Sequence, residues 1–220
     1  MKTTFLMAGF ALALTPALPR SGAAQDARLE RLTPEARVLV TTVIDSARAV
    51  GLPTEPLVDR ALEGASKRAP DALIAAAIRR LAGDLGRARA ALGPGTPQPE
   101  LVAAADALRA GASPEVLVRL REALGDRHLA VPLGVTADLT ARGVPADTAA
   151  GIVIALARSV SDGQLLALQR NVERDIALGA APLAAAGGLL SAGADTQAAG
   201  LEIQSAGSTP PPRSTPPRKP

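Results

Sequence analysis

An all-α fold is predicted by three observations on the sequence. Apolar residues recur at helical spacing along most of residues 33–179. Glycines, each followed within a few residues by a proline, separate many of the apolar segments. No stretch has the sustained apolar–polar alternation, rich in Val, Ile and Thr, that is typical of strands. We therefore expect about eight helices of roughly 9–18 residues with short joints, arranged as an irregular bundle or an orthogonal helix-hairpin array.

Helix starts are predicted where a capping residue or a proline precedes an apolar run. A Thr or Ser hydroxyl accepts a hydrogen bond from the first free N–H groups of a helix, and a proline leaves no N–H unpaired there. Carboxylates in the first turn interact favourably with the helix dipole. The start signals are, in order, Thr33-Pro34-Glu35, Thr54-Glu55-Pro56, Pro70-Asp71, Ser113-Pro114-Glu115, Pro132 and Pro145-Ala146-Asp147.

Each predicted helix has an apolar stripe that should face a common core. In the third helix the stripe comprises Leu73, Ile74, Ala77, Ile78, Leu81 and Leu85. Gly83 and Gly86 should weaken its second half by about 1 kcal/mol each relative to Ala. We expect Gly64 to begin a break after the second helix. The triplet Ser161-Asp162-Gly163 is interpreted as a turn before the last helix, which should end at Gly179.

Four joints combine a glycine that ends one helix with a proline that precedes the next. Glycine adopts the left-handed conformation without a Cβ clash, and the residue after it can pack on the last turn. The spacing of the joints is irregular and matches no named repeat period, although the pattern is similar to that of helical-repeat proteins. The joints pair Gly51 with Pro53, Gly111 with Pro114, Gly143 with Pro145, and Gly179 with Pro182.

Residues 1–24 have the order of a secretory signal peptide. Lys2 precedes an apolar run at 5–14, and Gly22 and Ala24 stand at the small-residue positions of a cleavage site. That run is much shorter than the roughly 20 residues that span a bilayer. We therefore expect export to the periplasm or the extracellular space, and no transmembrane segment in the mature chain.

The remaining chain is predicted to form a helical domain at 25–182 and a non-globular end at 183–220. Residues 93–99, which contain three prolines and two glycines, mark a possible break between two subdomains. Residues 207–220 contain six prolines and three positive charges, a composition typical of an extended, disordered tail. Arg213, Arg218 and Lys219 motivate the hypothesis that this tail tethers the protein to an anionic polymer of the cell surface.

Composition and charge argue against several classes of function. Residues 25–205 contain 19 basic and 21 acidic side chains, so the computed isoelectric point of about 10.1 comes from the ends of the chain. After residue 24 there is no Phe, Tyr, Trp, Met or Cys. Nucleic-acid binding, which relies on a basic patch and often on stacking aromatics, is therefore not expected. Disulfides are absent as well, so stability must come from packing.

The densest basic cluster, Arg79, Arg80, Arg87 and Arg89, is a candidate for contact with an anion such as a lipid headgroup or a polyanion. Arg80 and Arg87 are seven residues apart and share one side of a helix. The alternative interpretation is the wet face of an amphipathic helix.

Two further groups of residues are candidates for chemistry. Asp59 and Glu63 lie one helical turn apart, as paired carboxylates for acid–base catalysis on a glycoside would. Basic neighbours at 60, 67 and 68 favour a charge-balanced surface instead. His128, the only histidine, is interpreted as a surface loop residue, because one imidazole without cysteines does not form a typical zinc site.

These observations favour an exported, non-enzymatic helical scaffold or protein-interaction module, whose partner is an unknown protein or a component of the cell envelope. No serine has a Gly-x-Ser-x-Gly context and no phosphate-binding glycine pattern occurs, so we expect no catalytic residue, cofactor or metal. One alternative is a periplasmic carrier of an apolar ligand. Another is a hydrolase that uses Asp59 and Glu63. The oligomeric state stays open.

Overall fold

The protein is described by a computed structural model in which residues 27–189 are placed. A 3-10 turn at Leu29–Arg31 precedes eight α-helices, and the described residues contain no strand. The helices are α1 (Pro34–Ala49), α2 (Glu55–Ser66), α3 (Asp71–Leu92), α4 (Gln98–Ala110), α5 (Pro114–Leu124), α6 (Ala130–Ala141), α7 (Ala146–Ala157) and α8 (Asp162–Ala177). Residues 182–189 are helical again. The all-α prediction is confirmed. The predicted signal peptide and the proline-rich tail lie outside the described residues.

Helices α3, α4 and α6 form the centre of the array. α3 packs against α1, α2, α4 and α5, and α6 packs against α4, α7 and α8. The most extensive pairing joins α4 to α6, which are neighbours in space but not in sequence. One buried cluster runs through all eight helices, and its side chains are only Leu, Ile, Val and Ala. Within the placed part of the chain, no helix is both long and apolar enough to cross a membrane.

The third helix is longer than the sequence pattern suggests. α3 continues through Gly83 and Gly86 to Leu92 and has 22 residues. Packing against four other helices outweighs the cost of two glycines, because tertiary burial overrides local propensity. Leu73, expected to be buried, is 62% exposed because it lies near the start of α3 on the side away from the core. Val38 and Val50 in the first helical segment are also exposed.

The joint between α2 and α3 differs from the prediction, because Gly64 lies inside α2 and not at a break. The reversal occurs at Arg68, whose φ is 53°. The N–H groups of Ala69 and Arg68 donate to the carbonyls of Gly64 (3.0 Å) and Ala65 (2.9 Å), which is a Schellman motif. Gly64 instead permits close approach of two helices, since a Cβ there would lie 2.8 Å from Cγ1 of Ile74.

The four glycines of the Gly–Pro joints have φ values between 73° and 116°. At each joint the glycine N–H and the following N–H donate to carbonyls of the preceding helix, as in the pair from Gly143 to Thr140 (3.0 Å) and from Val144 to Leu139 (3.0 Å). The prolines are less uniform. Pro114 begins α5, whereas Pro145 is the N-cap of α7 and Pro53 lies in the loop before α2.

Two helix starts differ from the prediction. Ser161 does not belong to a separate turn but is the N-cap of α8, with a capping box: its Oγ accepts from the Gln164 N–H (3.3 Å) and its own N–H donates to Gln164 Oε1 (2.8 Å). α6 begins at Ala130, two residues before Pro132. Proline is tolerated there because the first turn of a helix needs no N–H donor.

Candidate functional site

A wide groove of about 570 Å³ lies between the second half of α3 and the helix α5. Its floor is apolar and consists of small or short side chains: Ala90 and Ala91 from α3, and Pro114 and Val118 from α5. Small residues on α3 leave a space that the neighbouring helix does not fill. On α5 the groove extends from Pro114 to Glu122, which at 1.5 Å per residue is about 12 Å.

The rim of the groove carries two arginines that are already paired within the fold. Arg87 donates to Asp84 on its own helix (2.6 Å). Arg119 forms an ion pair with the carboxylate of Asp147 (3.0 Å) and also donates to its backbone carbonyl (3.1 Å), which joins α5 to the start of α7. Both positive charges are therefore balanced by carboxylates of the protein itself.

The two acidic residues of the same rim have no such balance. Glu115 and Glu122 are exposed, and neither forms an ion pair with a basic side chain among residues 27–189. A hydrogen bond from the Ser113 hydroxyl lowers the pKa of Glu115 below its usual range, so this carboxylate is charged at neutral pH. The unbalanced charge beside the groove is consequently negative.

A second concavity, of about 240 Å³, lies between α2, α3 and α4; we call it the arginine cavity. Three arginines from three different helices are among its lining residues: Arg60, Arg80 and Arg109. Ala76, Ala77 and Leu81 supply its apolar surface, and Asp84 is its single acidic lining residue.

The three arginines of this cavity differ in how they are held. Arg60 donates to Glu63 (2.6 Å) and Arg109 to Asp106 (2.8 Å), each three residues along its own helix. Arg80 has no hydrogen bond or ion pair with any described residue. The side chain of Asp84 is only 5% exposed, and its ion-pair partner is Arg87, on the groove side of the helix.

The predicted basic cluster is divided by the fold. Arg80 reaches the arginine cavity, and Arg87 lies at the rim of the groove. Arg79 faces a depression between α1 and α3. Arg89 donates to the carbonyl of Val50 (2.5 Å) and thereby caps the end of α1. Arg60 and Arg109 were absent from the prediction, because only the packing of α2 and α4 around α3 brings them to Arg80.

Asp59 and Glu63 do not form an isolated carboxylate pair. Asp59 is exposed and lies 3.9 Å from Arg28. Glu63 accepts hydrogen bonds from Lys67 (2.5 Å) and Arg60 (2.6 Å), and these lower its pKa below the usual range. A general acid needs a raised pKa in order to hold its proton at neutral pH, so the lowered pKa of Glu63 is the opposite of what this role requires.

His128 lies in the loop before α6 with its side chain 91% exposed, and its Nδ1 is 3.7 Å from Oε1 of Glu100. The buried partner in this contact was not predicted. Glu100 is only 6% exposed at its side chain, accepts from the Leu129 N–H (3.1 Å) and pairs with Arg121 (3.0 Å). Its role is to join three helices. Within the placed residues, no three His, Cys, Asp or Glu side chains converge as metal ligands.

Comparison of the chain with models of protein families, with curated proteins and with solved structures finds no match.

Proposed function

We propose that the protein is an exported, non-enzymatic helical module that binds another protein through the groove between α3 and α5. The observation that carries this proposal is the combination of an apolar floor with two unbalanced carboxylates, Glu115 and Glu122, on its rim. Apolar floors supply most of the binding energy of helix-in-groove interfaces, and rim charges select the partner. Export is supported by the signal-like order of residues 1–24.

The partner that fits this groove is a short apolar segment flanked by Lys or Arg. About 12 Å accommodates two turns of helix, which present apolar residues at i, i+3, i+4 and i+7. Basic flanks would meet Glu115 and Glu122, whereas acidic flanks would face the same charge. Arg87 and Arg119 do not reverse this preference because Asp84 and Asp147 neutralise them.

The carrier alternative uses the same apolar floor with a small ligand in place of a protein segment. It is favoured by the groove volume, which lies within the range of ordinary ligand sites. It makes a different prediction, since an uncharged apolar ligand gains nothing from Glu115 and Glu122. The hydrolase alternative is weakened by the lowered pKa of Glu63.

Two peptides of equal apolar content test the proposal, one with Lys flanks and one with Glu flanks, each carrying a single Trp. The chain has no Trp or Tyr, so the emission of the peptide is measured without background from the protein. We expect the Lys-flanked peptide to bind at least tenfold more tightly at low salt. Val118→Asp should abolish the binding of both, because it places a charge in the apolar floor.

The double variant Glu115→Gln/Glu122→Gln should remove the preference between the two peptides. Its matched control is Glu30→Gln/Glu35→Gln, which makes the same charge change at exposed positions remote from the groove and should retain the preference. Equal binding of both peptides by the unmodified protein would contradict the proposal. Tight binding of an uncharged apolar dye that is lost in Val118→Asp but unaffected by the glutamate changes would favour the carrier.

A further inference from the structure

The arginine cavity brings together three side chains that keep their positive charge at every physiological pH. Arginine stays protonated throughout the physiological pH range, so Arg60, Arg80 and Arg109 are charged together. Glu63 and Asp106 balance the charges of Arg60 and Arg109, so the unbalanced positive charge at the cavity is that of Arg80. The single lining carboxylate, Asp84, has its ion pair with Arg87 rather than with these three residues.

Two of the three arginines are oriented by a carboxylate three residues away on the same helix, and the third, Arg80, is exposed. Glu63 holds Arg60 and Asp106 holds Arg109, and each ion pair restrains a long side chain that would otherwise be mobile. Each arginine retains further N–H donors beyond those used in its ion pair. Arg80, between them on α3, has all its donors available within the described part of the chain.

We propose that this cavity binds the phosphate group of a small phosphomonoester. Guanidinium forks match phosphate oxygens in paired hydrogen bonds, and a tetrahedral dianion can be approached from three directions by three side chains. A planar carboxylate offers only one pair of oxygens for such paired hydrogen bonds. The neutral walls formed by Ala76 and Ala77 leave room for the anion without adding competing acceptors.

The organic part of the ligand has a defined direction in which to extend. A neighbouring depression of about 210 Å³ between α2 and α3 shares Arg60 and Ala77 with the arginine cavity. Its lining includes Ile74 and Leu73, the latter 62% exposed, beside the ion pair of Glu63 with Lys67. An alkyl phosphate therefore gains apolar contact there, and such a group occurs both in soluble phosphomonoesters and in phosphatidic acid.

Calorimetric titration of the full-length chain with inorganic phosphate and with butyl phosphate tests the proposal at low salt. We expect one site for each, with the butyl ester bound more tightly. Arg80→Gln should weaken the binding of both compounds at least tenfold. The affinity of Arg80→Lys should lie between those of the unmodified protein and Arg80→Gln, because lysine keeps the charge but cannot form the paired hydrogen bonds of a guanidinium group. Arg80→Gln breaks no ion pair within residues 27–189, so circular dichroism should verify an unchanged fold.

The matched control is Arg79→Gln, which removes the same charge from the adjacent exposed position of α3 but faces away from the cavity. It should change the affinity less than twofold. An equal loss in both variants would mean that the protein attracts anions in general, and this would overturn the proposal. The proposal would also be overturned if millimolar phosphate gave no heat of binding and the protein did not bind vesicles.

Vesicles of phosphatidylcholine with and without phosphatidic acid separate the two sources of the phosphate group. Co-sedimentation that requires phosphatidic acid and is lost in Arg80→Gln, but not in Arg79→Gln, assigns the site to a lipid headgroup. Binding of the soluble esters without co-sedimentation assigns it to a soluble metabolite. Co-sedimentation that both variants retain, without binding of the soluble esters, would overturn the proposal.

Discussion

At the scale of single residues, Glu100 is the buried carboxylate at which three helices meet. It lies in the first turn of α4, pairs with Arg121 of α5, and accepts the N–H of Leu129 just before α6. An ionised group is buried at low cost only when its hydrogen bonds are complete. Glu100 meets this condition through partners that are 21 and 29 residues away in the sequence.

Glu100→Ala should lower the free energy of unfolding by about 2–4 kcal/mol, because it leaves the Leu129 N–H and the half-buried Arg121 without their acceptor. Urea denaturation followed by far-UV circular dichroism measures the change. Glu122→Ala, an exposed glutamate on α5, is the control and should stay within about 0.5 kcal/mol. Equal small effects of the two substitutions would show that the Glu100 contacts do not stabilise the fold.

Only part of this residue-scale chemistry was open to sequence-based prediction. Arg80 was identified because it belongs to a dense basic cluster. Arg60 and Arg109 were not, because their proximity to Arg80 depends on how three helices pack. Glu100 reads in sequence as an ordinary first-turn acid after Pro99, and nothing local indicates that its side chain is buried.

At the scale of elements, a glycine in a Gly–Pro joint and a glycine with open space inside a helix should respond in opposite ways to replacement by alanine. Gly143 has a φ of 97°, and a Cβ there would meet Pro182 at 3.8 Å, an ordinary contact, so the restriction comes from the backbone. Gly151 lies within α7 with open space around its Cβ position. Gly143→Ala should destabilise the protein by about 1 kcal/mol, and Gly151→Ala should stabilise it by about 0.5–1 kcal/mol.

Thermal unfolding by circular dichroism tests both variants together, and each is the control for the other. The midpoint should fall for Gly143→Ala and rise for Gly151→Ala. A rise in both would show that the α6–α7 joint does not need the left-handed conformation.

Gly64 tests the contact between α2 and α3. Gly64→Ala places a Cβ 2.8 Å from Cγ1 of Ile74, and helices cannot separate without loss of packing, so we expect destabilisation of about 1–3 kcal/mol in spite of the better helix propensity. Ile74→Ala removes the clashing atoms. In a double-mutant cycle the two changes should therefore be less harmful together than the sum of the single changes. Additive effects would contradict the close approach.

Helix ends were predictable where glycine takes a left-handed conformation, because that conformation is nearly specific to glycine. The same rule fails at Gly64, where the glycine is required by a neighbouring helix and Arg68 takes the left-handed position. Sequence patterns also mislead at Ser161, because the adjacent Asp-Gly pair favours a turn although Ser-x-x-Gln is itself a capping-box signal.

At the scale of the whole molecule, one aliphatic core includes residues on both sides of 93–99. α3 and α4, which this segment connects, pack directly against each other. A shared core of this kind favours cooperative unfolding of all eight helices, as in other small domains.

Two single-Trp variants test this cooperativity in a chain that has no Trp of its own. Val43→Trp on α1 and Ile176→Trp on α8 place the probe at partly buried positions at opposite ends of the sequence. In each variant, the urea transition followed by Trp fluorescence is compared with the transition that circular dichroism gives for the same variant. The two transitions should coincide in both variants. Two separate midpoints would show that the helices before and after 93–99 unfold as separate units.

The arrangement of the helices was beyond the reach of sequence patterns. Apolar spacing indicates which side of each helix is buried, but it does not say which helices face each other. The pairing of α4 with α6 skips α5, and that choice depends on the fit of many small side chains at once.

The aliphatic core also has a chemical consequence. Methionine and cysteine are the residues on which stepwise oxidation acts, and oxidation of a buried methionine turns an apolar side chain into a polar one. Residues 27–189 contain neither, nor any tryptophan or tyrosine. Peroxide that would loosen the interior of an ordinary protein finds no sulfur atom among residues 27–189, so the packing of these helices does not depend on the redox state of their surroundings.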